Sequence, residues 1–169
     1  MSSILKVSEI QDPTNGNSAL TIDSSGHVFR PQTPAFFVHR NASYTLSAGE
    51  VMQFNTAEID TDNGFDASTH EYTIPVTGLW HFSGALSFTG LTTSRSYIGI
   101  RWRADGTAWH DLYDNYHFNS SSAYGNIALT TMRQCTAGEK IDLYMSANSS
   151  GILFNHDVKR SHMMGRLIG

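Results

Sequence analysis

The stretch that decides the fold is Phe54–Phe82, "FNTAEIDTDNGFDASTHEYTIPVTGLWHF". Rings at Phe54, Phe65, Tyr72, Trp80 and Phe82 are set among acids, a proline and a glycine. Its continuation, "GLWHFSGALSF", alternates with period two, which places Trp80, Phe82 and one of Leu86 or Phe88 on one face of a strand and Leu79, His81 and Ser83 on the other. One face is therefore a core. A buried ring removes roughly 150–250 Å² from water, so at about 25 cal/mol per Å² each contributes several kcal/mol before entropy is subtracted. Gly78 stands at the strand entrance, where the absence of a Cβ tolerates positive φ and lets a neighbouring ring approach the backbone.

Working outward, no window of the chain repeats apolar residues at helical spacing, and Gly, Ser, Thr and Asn interrupt every run. Short apolar or alternating runs recur instead: "AFFVHR", "VMQF", "EYTIPV", "YIGIRWRA", "TAWHDLYD", "NIALTTMRQ", "KIDLYMSA" and "MMGRLIG". Many short strands separated by turn residues predict an all-β sandwich or barrel.

Bulk properties narrow the function. A chain of 169 residues suits a single main domain with one core. A formal net charge of −4 leaves no basic footprint, which argues against nucleic acid as a partner. The one cysteine, Cys135, can form neither an intrachain disulfide nor a cysteine-based zinc site. No segment approaches the ~20 apolar residues that span a bilayer, and "MSSILKVSEIQDPTNG" lacks the apolar core of a secretory signal, so membrane insertion is not expected and synthesis in a cytoplasm is. The sequons at Asn41, Asn119 and Asn148 are read as chance in a chain rich in Asn and Ser.

Residues 1–33 read differently from residues 34–169. "LKVSEIQ" and "SALTID" alternate apolar with polar residues and each precedes a turn signal, "DPTNGN" and then "SSG". So few apolar side chains, chiefly Leu5, Val7, Ile10, Leu20 and Ile22, cannot support a free-standing hairpin, so this piece is expected to act as an anchor or oligomerisation segment that needs neighbours. "RPQTP", with Pro31 and Pro34, suits an extended junction to the main domain.

From Phe54, the positions Asp60, Phe65, Tyr72 and Gly78 follow with five, four, six and five residues between them, and Trp80 and Phe82 come next at alternate places. That spacing resembles the signature of the complement C-one-q globular-head family, which belongs with the tumour necrosis factor-like jelly rolls. Tyr72 and Trp80 replace the family's usual phenylalanine and tyrosine, and Gly84 stands where a further ring is usual. "GNIALTTMRQCTAGEKIDLYMSA" is similar to the family's paired late strands, with "TAGEK" as the turn and Ile141, Leu143 and Met145 facing inward. "SHMMGRLIG" is similar to its Ser-x-Phe-x-Gly-x-Leu ending, through Ser161, Met163 or Met164, Gly165 and Leu167. The resemblance implies a jelly-roll β-sandwich over residues 34–169, a central terminal strand that buries Leu167 and Ile168, a non-enzymatic protein without cofactor, and a compact homotrimer. Apolar residues on both parities of "YIGIRW" and "AFFVH" accord with one face for a core and one for a sister chain.

The opening "LKVSEIQDPTNGNSALTIDSSGHV" resembles the start of many tail-fibre and virion-surface proteins of marine bacteriophages, through Leu5, Lys6, Val7, Ile10, Gln11, Ser18 to Ser24 and Gly26. This implies a structural protein of a virion, made in the host cytoplasm: a trimeric short tail fibre, spike or capsid decoration protein. Its anchor would meet other virion proteins, and its heads a host-surface glycan or protein. A free trimeric lectin-like binding protein is the other class that the sequence admits.

Candidate chemistry is sparse. The histidines, His70, His81, His110, His117, His156 and His162 among them, make no His-Glu-x-x-His or similar spacing, so no metal centre is expected; a trimer axis could gather copies of His81 or His162. "EIDTDNGFD" has the oxygen-rich look of a calcium loop without its twelve-residue spacing or closing Glu, and Asp and Asn explain it as a turn. No catalytic motif is visible. The best recognition candidate is "DGTAWHDLYDNYHFNSSSAYG", in which Trp109, Asp111, Tyr113, Asp114, Tyr116 and His117 combine stacking surface with hydrogen-bonding groups. The competing reading gives Trp109 and Tyr113 to the core.

Overall fold

The computed structural model describes residues 6–14, 16–89, 97–114, 125–147, 152–154 and 160–169, with residues 46, 111–114 and 152–154 described by backbone alone. The chain divides into two compact units, Met1–Thr33 and Pro34–Gly169. No helix is present among the described residues.

In the first unit, β1 (Glu9–Gln11), β2 (Ser18–Ile22) and β3 (Val28–Phe29) form an antiparallel three-stranded sheet in sequence order. Its turns use the expected residues. Asp12 accepts from the Thr14 amide at 2.8 Å, Asp23 accepts from the Ser25 and His27 amides, and Gly16 and Gly26 take positive φ of 70° and 85°. These are Asx turns closed by the residue that bears left-handed backbone at least cost. Ile10 lies opposite Leu20, and Ile22 opposite Val28, so one face of the sheet is apolar.

The second unit contains β4 (Ala35–His39), β5 (Tyr44–Leu46), β6 (Glu50–Val51), β7 (Thr56–Asp60), β8 (Phe65–Asp66), β9 (Glu71–Thr73), β10 (Gly78–Thr89), β11 (Ile98–Ala104), β12 (Thr107–Asp114), β13 (Gly125–Cys135), β14 (Lys140–Ala147), β15 (Ile152–Phe154) and β16 (His162–Leu167). They make two antiparallel sheets. One runs β5-β15-β10-β16-β4-β7, with β13 also along β10; the other runs β12-β11-β14-β9-β8, with β6 on β14. This is the all-β jelly-roll sandwich expected from the sequence.

The ring ladder forms the interior. Phe54, Tyr72, Trp80 and Phe82 are fully buried, Phe65 packs against them from the rim, and both Leu86 and Phe88 join the same face. Phe36 stacks on Tyr72 with centroids 3.9 Å apart, and Phe82 bridges the sheets to Trp102 at 5.3 Å. From the facing sheet Ile141, Leu143 and Met145 point inward, and the 136–140 turn uses Gly138 at φ 94°. Gly84, where the family carries a ring, has its space taken from across the core: an added Cβ would lie 2.7 Å from Leu143 Cδ2 and 3.1 Å from Trp102 Cζ2.

Two local expectations are corrected. Gly78 has no positive φ, and the atoms nearest to an added Cβ belong to no ring: it would meet Leu167 Cδ1 at 2.6 Å and the Gly169 carbonyl oxygen at 2.7 Å, so the glycine makes room for the chain terminus. β16 is central, between β10 and β4, and half-buries Leu167, but Ile168 lies just past the strand and stays exposed.

Candidate functional site

The outward face of the seven-stranded sheet is the most distinctive surface of the second unit. Strand register places residues of equal parity side by side in rows. Met132, His81, Arg166 and Ala35 form one row; Thr130, Ser83, Met164, Phe37 and Ile59 the next; Ala128, Ala85, His162 and His39 the third. Ile59 and Met132 are exposed, at 50% and 62%, while Phe37, Ala85 and Met164 are half-buried. The surface is thus a field of small and apolar side chains. β4, β10, β13 and β16 contain no Asp or Glu at all. A shallow groove of about 200 Å³ runs beside His81 along Thr130, Thr131 and Met132.

Histidines supply the polarity there together with Arg166, Thr130 and Ser83. His81 Nε2 lies 3.0 Å from Thr130 Oγ1. His39 and His162 are direct cross-strand partners, with the Phe37 ring 6.1 Å from the first and 5.4 Å from the second. His39 is buried, and its Nδ1 has no hydrogen-bond partner among the described residues.

The opposite sheet offers a different surface. Arg103 donates from Nε and Nη2 to the Asp142 carboxylate at 2.8 and 2.7 Å, and its guanidinium lies over the Tyr144 ring at 4.3 Å. Burial pushes the Asp142 carboxyl up even against this partner, while the same hydrogen bonds push the Arg103 guanidinium up. These two directions pull apart because Asp142 is 1% exposed and Arg103 is not so deep. Desolvation of the carboxylate outweighs what one guanidinium returns.

The predicted recognition stretch divides. A register shift between Trp102 and Arg103 makes Trp109 the extra residue of a β-bulge, and such a bulge re-aims its side chain. The Trp109 ring packs 5.8 Å from Phe82 and 6.0 Å from Trp102, with the Arg133 guanidinium 4.9 Å above it. Asp111, Tyr113 and Asp114 stand on β12 opposite Arg101, Gly99 and Ile98. Tyr116 and His117 lie outside the described residues, as does Leu5 of the anchor set. Of that set, Val7, Ile10, Leu20 and Ile22, joined by Glu9 and Val28, line an apolar groove of about 100 Å³ in the first unit. Val28, 60% exposed, was missed, although its apolar character two residues after Gly26 was visible.

The acidic string "EIDTDNGFD" is a turn. Asp60 accepts from the Gly64 and Phe65 amides at 2.9 and 3.0 Å, and the Ser68 hydroxyl and amide hold the Asp66 carboxyl below its usual range. His70, at φ 63°, donates through Nδ1 to the Phe54 carbonyl at 2.7 Å. No group of three His, Cys, Asp or Glu able to hold a metal occurs among the described residues.

No protein-family model matches the chain, and no curated protein matches its sequence. Solved structures do match. The globular domain of zebrafish complement 1qA protein superposes with a TM-score of 0.62 at 22% identity, covering 80% of this chain and 98% of that one. The Eiger TNF of S. frugiperda superposes with a TM-score of 0.66 at 10% identity, covering 81% and 93%. The fold is therefore the jelly roll shared by C-one-q and tumour necrosis factor domains.

Proposed function

We propose that this chain is a non-enzymatic structural protein of a bacteriophage virion, a trimeric short tail fibre, spike or capsid decoration protein. Three copies associate through the outward face of the seven-stranded sheet, residues 1–33 dock on other virion proteins, and the heads make adhesion or assembly contacts. The observation that carries the trimer is the acid-free, small and apolar surface around Ser83, Ala85 and Met164. The rows from Thr130 to Ile59 and from Ala128 to His39 carry no permanent charge, so they can be buried against a copy of the chain without stranding one, while Arg166, in the first row, is exposed on the single chain. The phage assignment rests on the resemblance of residues 5–26 to virion-protein openings, supported by the apolar groove that those residues build. Linked heads would raise a modest single-site affinity through effective concentration.

Light scattering after gel filtration is expected to give three times the chain mass. Ala85→Glu, which sets a carboxylate in the middle of the face beside His162, is expected to give a folded monomer. A monomeric parent chain would end the trimer reading. Electron microscopy of particles carrying labelled protein tests the location, and its absence from particles would favour the free lectin-like class.

A further inference from the structure

We infer that the apolar face of the first unit is closed by the same face of its sister chains, three sheets sharing one core; this rests on the trimer proposed above. Ile10 lies opposite Leu20 and Ile22 opposite Val28, and Leu20 and Ile22 stand two apart on β2, so all four side chains project from one face. That face has nothing of its own to pack on. Among the described residues from 6 to 30 none is buried, and Ile10 and Val28 are 45% and 60% exposed. A sheet is held by burying its apolar side against another layer, and strands as short as Glu9–Gln11, Ser18–Ile22 and Val28–Phe29 do not stand without one.

Two observations select a sister chain as that layer. The first is charge. β2 and β3 contain no Asp, Glu, Lys or Arg, Asp23 is paired with His27 in the turn, and Glu9, the one charged residue lining the groove, accepts from the Ser18 hydroxyl. A copy of this face therefore meets aliphatic groups and no like charge. The second is the path of the chain. The Pro34 carbonyl accepts from the Leu167 amide at 3.0 Å, and Ala35 opens β4 in the first row of the assembly face, opposite Arg166. Only residues 30–34, with prolines at 31 and 34, separate β3 from β4. A trimer held through the assembly face thus carries three first units on short tethers that leave from that same face, at an effective concentration on the order of millimolar.

At that concentration a contact too weak to join separate chains closes within one trimer. The order of events follows: the heads associate first, and the sheets of residues 9–29 then fold tightly as a set of three. Phe29, the register partner of Thr21, projects from the opposite face and stays available to other virion proteins.

The test is hydrogen exchange, read by mass spectrometry, on the purified full chain with no other virion protein present. In the parent trimer the amides of residues 9–29 are expected to exchange at least ~tenfold more slowly than in the Ala85→Glu monomer, with β11 and β14 equally protected in both. Ile10→Asp with Ile22→Asp is expected to stay trimeric through the heads and to lose the protection of residues 9–29. Residues 9–29 that exchange alike in the parent trimer and in the monomer overturn this inference and leave the trimer reading standing. Protection that survives the paired Asp substitutions does the same. A monomeric parent chain overturns both.

Discussion

At the scale of single residues, the Arg103–Asp142 pair shows how geometry and burial compete. Removing the guanidinium leaves a carboxylate that is 1% exposed without its bidentate partner, so Arg103→Met is expected to cost about 3–5 kcal/mol in urea unfolding. Because the pair returns little beyond its own desolvation, Arg103→Met with Asp142→Leu is expected to recover most of that loss. Gly165 is constrained by shape alone: a Cβ there would fall 2.5 Å from Phe36 Cε1 and 2.8 Å from Phe82 Cδ1. Gly165→Ala is expected to lower stability by about 1–3 kcal/mol, read as a reduced denaturation midpoint. Glu139 sets an acid limit. Hydrogen bonds from Arg133 hold its carboxyl below the ordinary value of 4.5, so the unfolded chain binds the proton more readily. Its stabilising contribution is present above that value and is lost as pH falls through the depressed pKa. Glu139→Gln is expected to cost about 1 kcal/mol at neutral pH and to flatten the decline of stability with acid, measured as melting temperature against pH.

At the scale of elements, β12 and the first three strands are where pattern and structure part. Alternation along "TAWHDLYD" offers Trp109 and Tyr113 to the core as a pair and foresees no bulge, yet the bulge opposite Trp102 inserts one extra residue and turns the Trp109 ring toward Phe82. The three-stranded sheet of residues 9–29 is the reverse case, since its Asx turns and alternation were readable directly. Its apolar face leaves Ile10 and Ile22 substantially exposed, at 45% and 38%. On the reading of this sheet as an anchor, Ile10→Asp with Ile22→Asp is expected to leave the thermal unfolding of residues 34–169 unchanged and to abolish incorporation into particles, scored by blotting purified virions.

At the scale of the whole molecule, the two faces of one sheet carry two separate tasks. Inward, β10 presents Trp80, Phe82, Leu86 and Phe88 to the facing sheet; outward, it presents His81, Ser83 and Ala85 to a sister chain in the proposed trimer. A strand with period two can serve both because its side chains do not compete for the same side.

The sequence by itself determined the sandwich, its ring-built core and the division near residue 33, because period two, turn chemistry and aromatic spacing are local properties of the chain. The absence of acids from β4, β10, β13 and β16 was equally present in the letters, but it acquires meaning only when sheet order brings those strands together. Tertiary structure alone decided that Gly78 makes room for the terminus, that Leu143 and Trp102 fill the space at Gly84, and that His39 and His162 face each other. Each depends on register between residues far apart in the chain, and a one-residue shift in that register would turn every one of those side chains to the opposite face.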